Sequence, residues 1–357
     1  MPIIPEHKIE QIKSLNNIVE VIGSYISLKK KGQNYWARCP FHDEKTASFS
    51  VSQSKQIYHC FGCGVGGNVI NFVMDYEKLS FVEAVKELAE RVNVELDEFK
   101  VSEKDTSDTT RLYQLNELAT NFYHDLLLSS EGKSAFEYLS KRELSKDVIE
   151  KFKIGYAPDQ WNSLKNKIAT KKYSTDIIKT SGLSSESKGK TYDRFRDRIM
   201  FPIYNLKGKP IAFGGRTLKN DKNIGKYINT PETPIYHKSF VLYGLNITKD
   251  YIHKSKTILV VEGYMDFLKL YQFGFKNCVA CSGTAFTQQH GKTILRYAET
   301  AILIYDGDDA GQKATLRAGF VLTAQKINCK ILTLDKDDDP DTFLQKNGAK
   351  EFQKKID

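Results

Sequence analysis

Thr257-Ile-Leu-Val-Val-Glu-Gly-Tyr-Met-Asp266 reads as a strand that stops on a carboxylate. Thr257–Val261 has no polar alternation, which marks a strand buried on both faces of a parallel sheet. A helix is expected to follow through Tyr271. The pattern repeats downstream. Cys278–Ala280 is a second short strand, ending in Ser282-Gly283-Thr284. Thr300–Tyr305 is a third, ending in Asp306-Gly307-Asp308-Asp309-Ala310-Gly311, with a helix expected over Gln312–Gln325. Lys330–Leu334 is a fourth, leading to Asp337-Asp338-Asp339-Pro340-Asp341. Strands alternating with helices imply a mainly parallel sheet with right-handed crossovers and helices on both faces. Such sheets place their sites beyond the carboxyl ends of the strands.

The acidic clusters sit at those ends, so Glu262, Asp306, Asp308, Asp339 and Asp341 are expected to converge on one edge. Carboxylates at close range are costly without a cation. All-oxygen ligands favour Mg²⁺ or Mn²⁺ over zinc, and two such ions can hold a triphosphate and activate a hydroxyl.

Toward the N-terminus, Cys39-Pro-Phe-His42 is followed by Cys60-Phe-Gly-Cys63. Two ligand pairs, each spaced by two residues, fit one tetrahedral Zn²⁺ held by two knuckles. Strand-like stretches at Asn34–Arg38, Ser48–Ser52 and Gln56–His59 make a zinc ribbon the expected fold. His59 competes as a ligand, but strand neighbours point to opposite faces, which favours His42. Four protein ligands leave no open position, so the metal's role is structural. Lys29, Lys30, Lys31, Lys45 and Lys55 with Tyr35, Trp36, Phe49 and Phe61 can make a sheet that stacks bases, or the aromatics can be a small core.

The chain has 357 residues, 40% apolar and 27% charged, which predicts a soluble globular protein of two or three domains. No apolar run approaches the roughly 20 residues that span a bilayer, and the N-terminus lacks a signal-peptide core. The expectation is a cytoplasmic protein, with its six cysteines in metal or core roles. Net charge is +9, and its distribution is uneven. Lys188–Lys256 holds 15 basic and 5 acidic residues, leaving 38 basic against 39 acidic elsewhere. A concentrated basic block suggests a polyanion surface, most often nucleic acid. The expected organisation is 1–96, a polar linker over 97–110, a mixed α+β basic segment over 111–255 that opens with a helix, and the catalytic sheet over 256–357.

These residues resemble a known family. Glu262 at one strand end and Asp306-x-Asp308 at a later one resemble the Toprim domain of topoisomerases, some nucleases and bacterial primases. Cys39-Pro-Phe-His-Asp-Glu-Lys-Thr-Ala-Ser-Phe49 and Tyr58-His-Cys-Phe-Gly-Cys-Gly64 resemble the zinc-binding domain of the bacterial replicative primase (DnaG-type), although Ala47 stands where the family usually has Pro. Arg194-Phe-Arg-Asp-Arg-Ile-Met-Phe-Pro202, Phe213-Gly-Gly-Arg216 and Lys226-Tyr-Ile-Asn-Thr-Pro-Glu-Thr233 resemble its basic core motifs. The likeness is collinear over nearly the whole chain.

The resemblance implies a nucleotidyltransferase that copies single-stranded DNA template from NTPs into a short RNA primer during DNA replication, acting as a monomer on the primer–DNA hybrid. It implies that Glu262, Asp306 and Asp308 hold the catalytic metals and that Asp266, Asp339 and Asp341 complete the acidic face. It places Lys226, Tyr227 and Asn229 on the nucleotide, and Arg142 and Trp161 along the template path. Arg196, Arg198, Lys226 and Lys238 are the basic counterpart, and arginine's bidentate geometry makes Arg196 and Arg198 phosphate clamps. Asp266 and Lys238 are grouped with the nucleotide-binding residues. In the family the core continues into a helical bundle and a helicase-binding domain, whereas this chain ends 16 residues after Asp341. A shortened piece, or a short member encoded by a phage or plasmid, is expected, and the lack of the helicase-binding domain counts against docking of the replicative helicase.

Two rival readings remain. A Toprim-type nuclease explains the carboxylates but not the ribbon or the basic motifs. A non-catalytic primase-like DNA-binding protein does not need the intact Glu262, Asp306 and Asp308. A topoisomerase needs domains for which the chain has no room. Gly189-Lys190-Thr191 is not a P-loop, because Gly182 lies seven positions before Gly189 and the motif needs five.

Overall fold

The computed structural model describes residues 6–94 and 108–357 except 78, 80, 172, 188, 220, 222, 223, 284, 336 and 337. Asp337, Thr284 and most of the expected linker therefore lie outside the described residues. The chain divides into two compact units, 1–107 and 108–357.

In the first unit, β1 (Lys29–Lys31), β2 (Asn34–Ala37), β3 (Phe49–Ser52), β4 (Ile57–Cys60) and β5 (Gly66–Gly67) form an antiparallel sheet in sequence order. Phe49, Val51 and Tyr58 point inward and are fully buried. They pack on α3 (Val69–Glu77) through Phe72, beside α1 (Glu6–Leu15), α2 (Ile18–Gly23) and α4 (Phe81–Arg91). Phe41, Phe49, Tyr58 and Phe72 meet with ring centroids 5.2–6.2 Å apart.

The second unit opens with α5 (Asp108–Leu128). Asp108–Thr110, read from sequence as the end of the linker, form its first turn. Then come α6 (Lys133–Lys141), α7 (Lys146–Lys151), β6 (Gly155–Ala157), α8 (Ser163–Ala169), α9 (Thr175–Thr180), the hairpin β7 (Ser184–Ser187) and β8 (Lys190–Asp193), β9 (Arg198–Tyr204), β10 (Pro210–Thr217) and β11 (Tyr227–Asn229). Strands β11-β10-β9-β6 make an antiparallel sheet. α5 covers one face of it with Leu115, Ala119 and Tyr123, all buried.

After α10 (Leu245–Ser255) the chain becomes βα: β12 (Thr257–Val261), α11 (Tyr264–Gln272), β13 (Cys278–Ala280), α12 (Gln288–Leu295), β14 (Thr300–Leu303), α13 (Asp309–Ala324), β15 (Asn328–Ile331) and α14 (Pro340–Ile356), the last broken at Gly348. The order β13-β12-β14-β15 is parallel throughout. Side chains of β12 alternate between two cores. Leu259 and Val261 face α11, α14 and the antiparallel sheet, while Ile258 and Val260 face α10, α12 and α13. Burial on both sides explains the unbroken apolar run, each such side chain contributing about 1.5–3 kcal/mol.

The fourth strand is Asn328–Ile331, not Lys330–Leu334. Register with β14 (Thr300↔Asn328) sets the pairing, and this edge strand is mostly exposed. Leu332 and Leu334 are buried beyond its end, so burial there marks core cover and not ladder. α13 begins at Asp309 and not Gln312, because Asp308 caps it by accepting Gly311 N–H at 2.7 Å.

Tyr264 couples the two sheets. Its ring stacks on Phe201 of β9 (4.8 Å, 9°), lies over Gly214 of β10, and its hydroxyl donates to Asn229 Oδ1 at 2.8 Å. A Cβ at position 214 would land on that ring. Gly214→Ala should therefore destabilise the second unit by about 1–3 kcal/mol, read as a lower melting temperature, with an intact parental transition contradicting this packing.

Candidate active site and metal centre

The zinc ligands lie in the first unit. Ligand atoms of Cys39, His42, Cys60 and Cys63 all fall within 4.8 Å of one another. Cys39 Sγ to Cys63 Sγ is 3.8 Å and Cys60 Sγ to His42 Nδ1 is 3.7 Å, close to the edge of a tetrahedron with metal–sulfur bonds of about 2.3 Å. Backbone N–H groups of Phe41 and Gly62 point at Cys39 and Cys60 sulfurs (3.5 and 3.4 Å). Burial alone would raise the Cys60 thiol, but the Ser48 hydroxyl and the N–H groups of Cys63 and Gly62 bring it down to about 7, which favours the thiolate that a metal needs. Glu44 orders the knuckle, taking N–H bonds from Cys39 and Ser48 and lying 3.5 Å from His42 Nε2. His59 is not part of the set; it packs edge-on against Phe61. Of the aromatics singled out, Phe49 is core, while Trp36 stacks on the exposed Phe61 at 6.0 Å.

In the second unit a cleft of about 410 Å³ opens at the carboxyl ends of the parallel strands. Its acidic wall carries Glu262 from the end of β12, Asp266 from α11, Asp306 from the end of β14, and Asp339 and Asp341 at the start of α14. Gly311 permits the turn after β14, since a Cβ there would strike the Asp306 carbonyl. Asp308 does not line the cleft. One of its oxygens caps α13, and it acts on Glu262 through its charge. Asp339 likewise caps α14, accepting Thr342 N–H at 2.7 Å.

Burial, then the charges of Asp306 and Asp308, push the Glu262 carboxyl up to about 7. Its Oε1 is buried and has no hydrogen-bond partner among the described residues. Burial, then Asp339 and Asp308, raise Asp306, which Lys226 pulls the other way. Asp266 is pushed well above the usual range by burial and then by Asp339, Asp306 and Asp341. An orphaned carboxylate oxygen among mutually repelling carboxylates fits a hard divalent cation.

The same lining also carries basic and aromatic side chains: Lys226, Arg216, Arg142 and Tyr227. Arg216, which sequence reasoning quoted in a motif without a role, stacks on Tyr138 at 4.2 Å. Asn229 is held at both ends of its amide, accepting from Tyr264 and donating to Ser282 O at 2.8 Å. Arg198 is interior, 6% exposed, and its Nη1 donates to the carbonyls of Gly215, Gly225 and Lys226 at 3.0–3.4 Å. Arg196 and the exposed Trp161 sit together outside the cleft lining, the guanidinium 4.1 Å from the ring centre. Lys238 begins a short turn at Lys238–Phe240, also away from the lining. Arg142 is tied to Asp341 at 2.8 Å.

Comparison with known proteins places this geometry. Three family models match in order: CHC2 zinc finger over residues 4–104, DNA primase catalytic core, N-terminal domain over 122–249, and Toprim-like over 259–344. A solved structure of the Aquifex aeolicus primase, comprising its zinc binding and RNA polymerase domains, is 37% identical, covers 98% of this chain and 84% of that one, and superposes with a TM-score of 0.65. The chain belongs to the DnaG-type primase family. DNA primases of Halalkalibacterium halodurans and Clostridium acetobutylicum are 44% and 43% identical over 99% of this chain. The chain spans 59% of the length of each of these curated relatives. A DnaG primase catalytic domain solved bound to ssDNA is 36% identical over 70% of this chain, with a TM-score of 0.65. The ribbon of this DnaG-type chain is thus a zinc site. No described helix is long and apolar enough to cross a membrane.

Elemental analysis should find one zinc per chain, and chelation should unfold the first unit while the second keeps its melting transition, because structural zinc supplies folding free energy; protein free of zinc would contradict this. At the acidic wall, Glu262 holds its proton more tightly folded than unfolded. Its ionisation therefore costs stability as pH rises from about 4.5 to about 7. In metal-free buffer near neutral pH, Glu262→Gln should melt higher than the parent and lose that pH slope; a lower melting temperature would contradict the crowding.

Proposed function

We propose that this chain carries the zinc ribbon and the polymerising part of a primase, dividing into 1–96, 111–255 and 256–357. It holds single-stranded DNA, takes NTPs and joins them into a short RNA primer, as a monomer at the replication fork in the bacterial cytoplasm. The carrying observation is one cleft lined by the Glu262 carboxylate, whose Oε1 has no hydrogen-bond partner among the described residues, and by Lys226 and Arg216.

Magnesium or manganese would be held by Glu262, Asp306 and Asp339, with Asp308 acting through its charge, and would supply neutralisation of the triphosphate and a lowered pKa for the attacking hydroxyl. The chain's own residues do the rest by positioning, which is most of what phosphoryl transfer requires. Lys226 and Arg216 offer charge to the triphosphate. Tyr227 lines the cleft with them, and Asn229 braces this lining against the strand ends through Tyr264 and Ser282. Arg198 acts from behind: its bonds to Gly225 and Lys226 carbonyls aim Lys226 at Asp306. Ala285 and Phe286 give an apolar wall that limits water. Outside the cleft, Trp161 and Arg196 form a stacked pair suited to a template base and its phosphate. The relative solved bound to ssDNA supports single-stranded DNA as the template.

The test is synthesis from labelled NTPs on an unlabelled single-stranded template, with magnesium and manganese compared. Extension products are expected from the parent, and Glu262→Gln and Asp306→Asn should each lower them by about 100-fold or more. A shortened template without extension would make the chain a nuclease. Template binding without either product would leave the non-catalytic reading.

A further inference from the structure

Lys269 has no solvent exposure, although it lies on α11 one turn after Asp266. A buried ammonium is costly unless it is paired and hydrogen-bonded. Its Nζ is 3.7 Å from Asp341 Oδ1, 4.0 Å from Glu143 Oε2, and 3.5 Å from the Glu143 carbonyl. Asp341 is itself buried. Its Oδ2 takes Arg142 Nη1 at 2.8 Å, and its Oδ1 takes Gln345 Nε2 at 3.3 Å. Gln345 also donates to the Arg142 carbonyl, and Arg142 Nε to the Tyr138 hydroxyl (3.0 and 3.1 Å). Both oxygens of Asp341 are thus engaged, by α11, by α14 itself, and by the end of α6. The other acidic side chains differ. Among the described residues, Glu262, Asp266, Asp306, Asp308 and Asp339 have no lysine or arginine nitrogen within 4.0 Å.

We propose that Lys269, together with Arg142, is a built-in counter-ion that withdraws Asp341 from the cation site. The acidic edge is then neutralised in two ways: Asp341 by the protein's own cations, and Glu262, Asp306 and Asp339 by the divalent ion. Lys269 is a positioning residue. It ties α11 to α14, so that Asp266 and Asp339, carried by those helices, face the cleft. Arg142, given to the template path by sequence reasoning, is the third member of this lock. The inference rests on the acidic edge being the cation site, and its test separates the two ideas.

That test is a Mn²⁺ titration of the intact chain followed by its melting temperature, which reads cation binding without any turnover. Glu262→Gln should move the Mn²⁺ midpoint by about tenfold or more, as loss of a hard ligand does. Asp341→Asn should lower the melting temperature in chelator yet leave the midpoint within about twofold, since both its oxygens face protein donors. Lys269→Met should lower the melting temperature in chelator and shift the midpoint to lower Mn²⁺, because Asp341, left with Arg142 as counter-cation, then adds net negative charge to the cation site. Lys269→Met combined with Asp341→Asn should regain most of the lost melting temperature, as replacing a buried pair costs less than breaking it. That double variant carries the test if Lys269→Met alone does not fold. Asp341→Asn weakening Mn²⁺ as much as Glu262→Gln would make Asp341 a ligand and overturn the lock. A double variant no more stable than Asp341→Asn alone would overturn the pairing. An unmoved midpoint in Glu262→Gln would instead remove the acidic edge as the cation site.

Discussion

Carboxylates that end neighbouring parallel strands are held closer than their charges prefer, and the second unit is arranged around that repulsion. The β12–β14 register puts Glu262 and Asp306 at the same edge. α11 and α14 add Asp266, Asp339 and Asp341. Burial on both faces of the sheet fixes these positions, so the charges cannot relax apart without unpacking Leu259, Val261 and Ile302. Raised carboxyls at Glu262, Asp266 and Asp306 register the cost. The fold answers it with helix N-termini at Asp308 and Asp339, with the buried Lys269 and the half-buried Arg142 at Asp341, and with a site open to a divalent ion at Glu262.

The basic half of the chain is built to meet that edge. Gly214 lets the Tyr264 ring lie flat against β10 and Phe201, and Tyr264 in turn holds Asn229. The strand that carries Tyr227 and Asn229, with Lys226 just before it, is therefore registered against the carboxylates by packing and by one hydrogen-bonded amide. Arg198 spends its charge inside, on three carbonyls, to set the turn that presents Lys226. The proposed chemistry, which places a triphosphate among these charged groups, needs this kind of rigidity more than it needs any reactive side chain.

Much of this is legible in the residues. β12 and β13 fall where apolar runs of fixed length are bounded by turns, and the paired Cys and His spacing leads directly to the four-atom cluster. Asp306 and Glu262 are found because both end strands. Other features depend on neighbours that sequence does not reveal. β15 lies on the edge, where its side chains are exposed, so hydrophobicity points to Leu332 and Leu334 instead. Arg196 and Arg198 differ by two residues and look alike in sequence, yet one stacks on Trp161 and the other is interior. Lys269 sits in an ordinary amphipathic pattern, and only the fold brings Asp341, 72 positions later, beneath it. Asp341 reads as a ligand by its place in Asp-Pro-Asp, while its surroundings already supply its counter-charges.

The most direct measurement of the central claim is anomalous scattering from crystals of this chain soaked with Mn²⁺ and a nucleoside triphosphate. The account predicts manganese peaks within coordination distance, about 2.0–2.3 Å, of carboxylate oxygens from Glu262 and Asp306, with the triphosphate running toward Lys226 and Arg216, and with Asp341 still bound to Arg142 and Lys269. Peaks confined to other parts of the molecule, or a triphosphate bound away from this cleft, would contradict it.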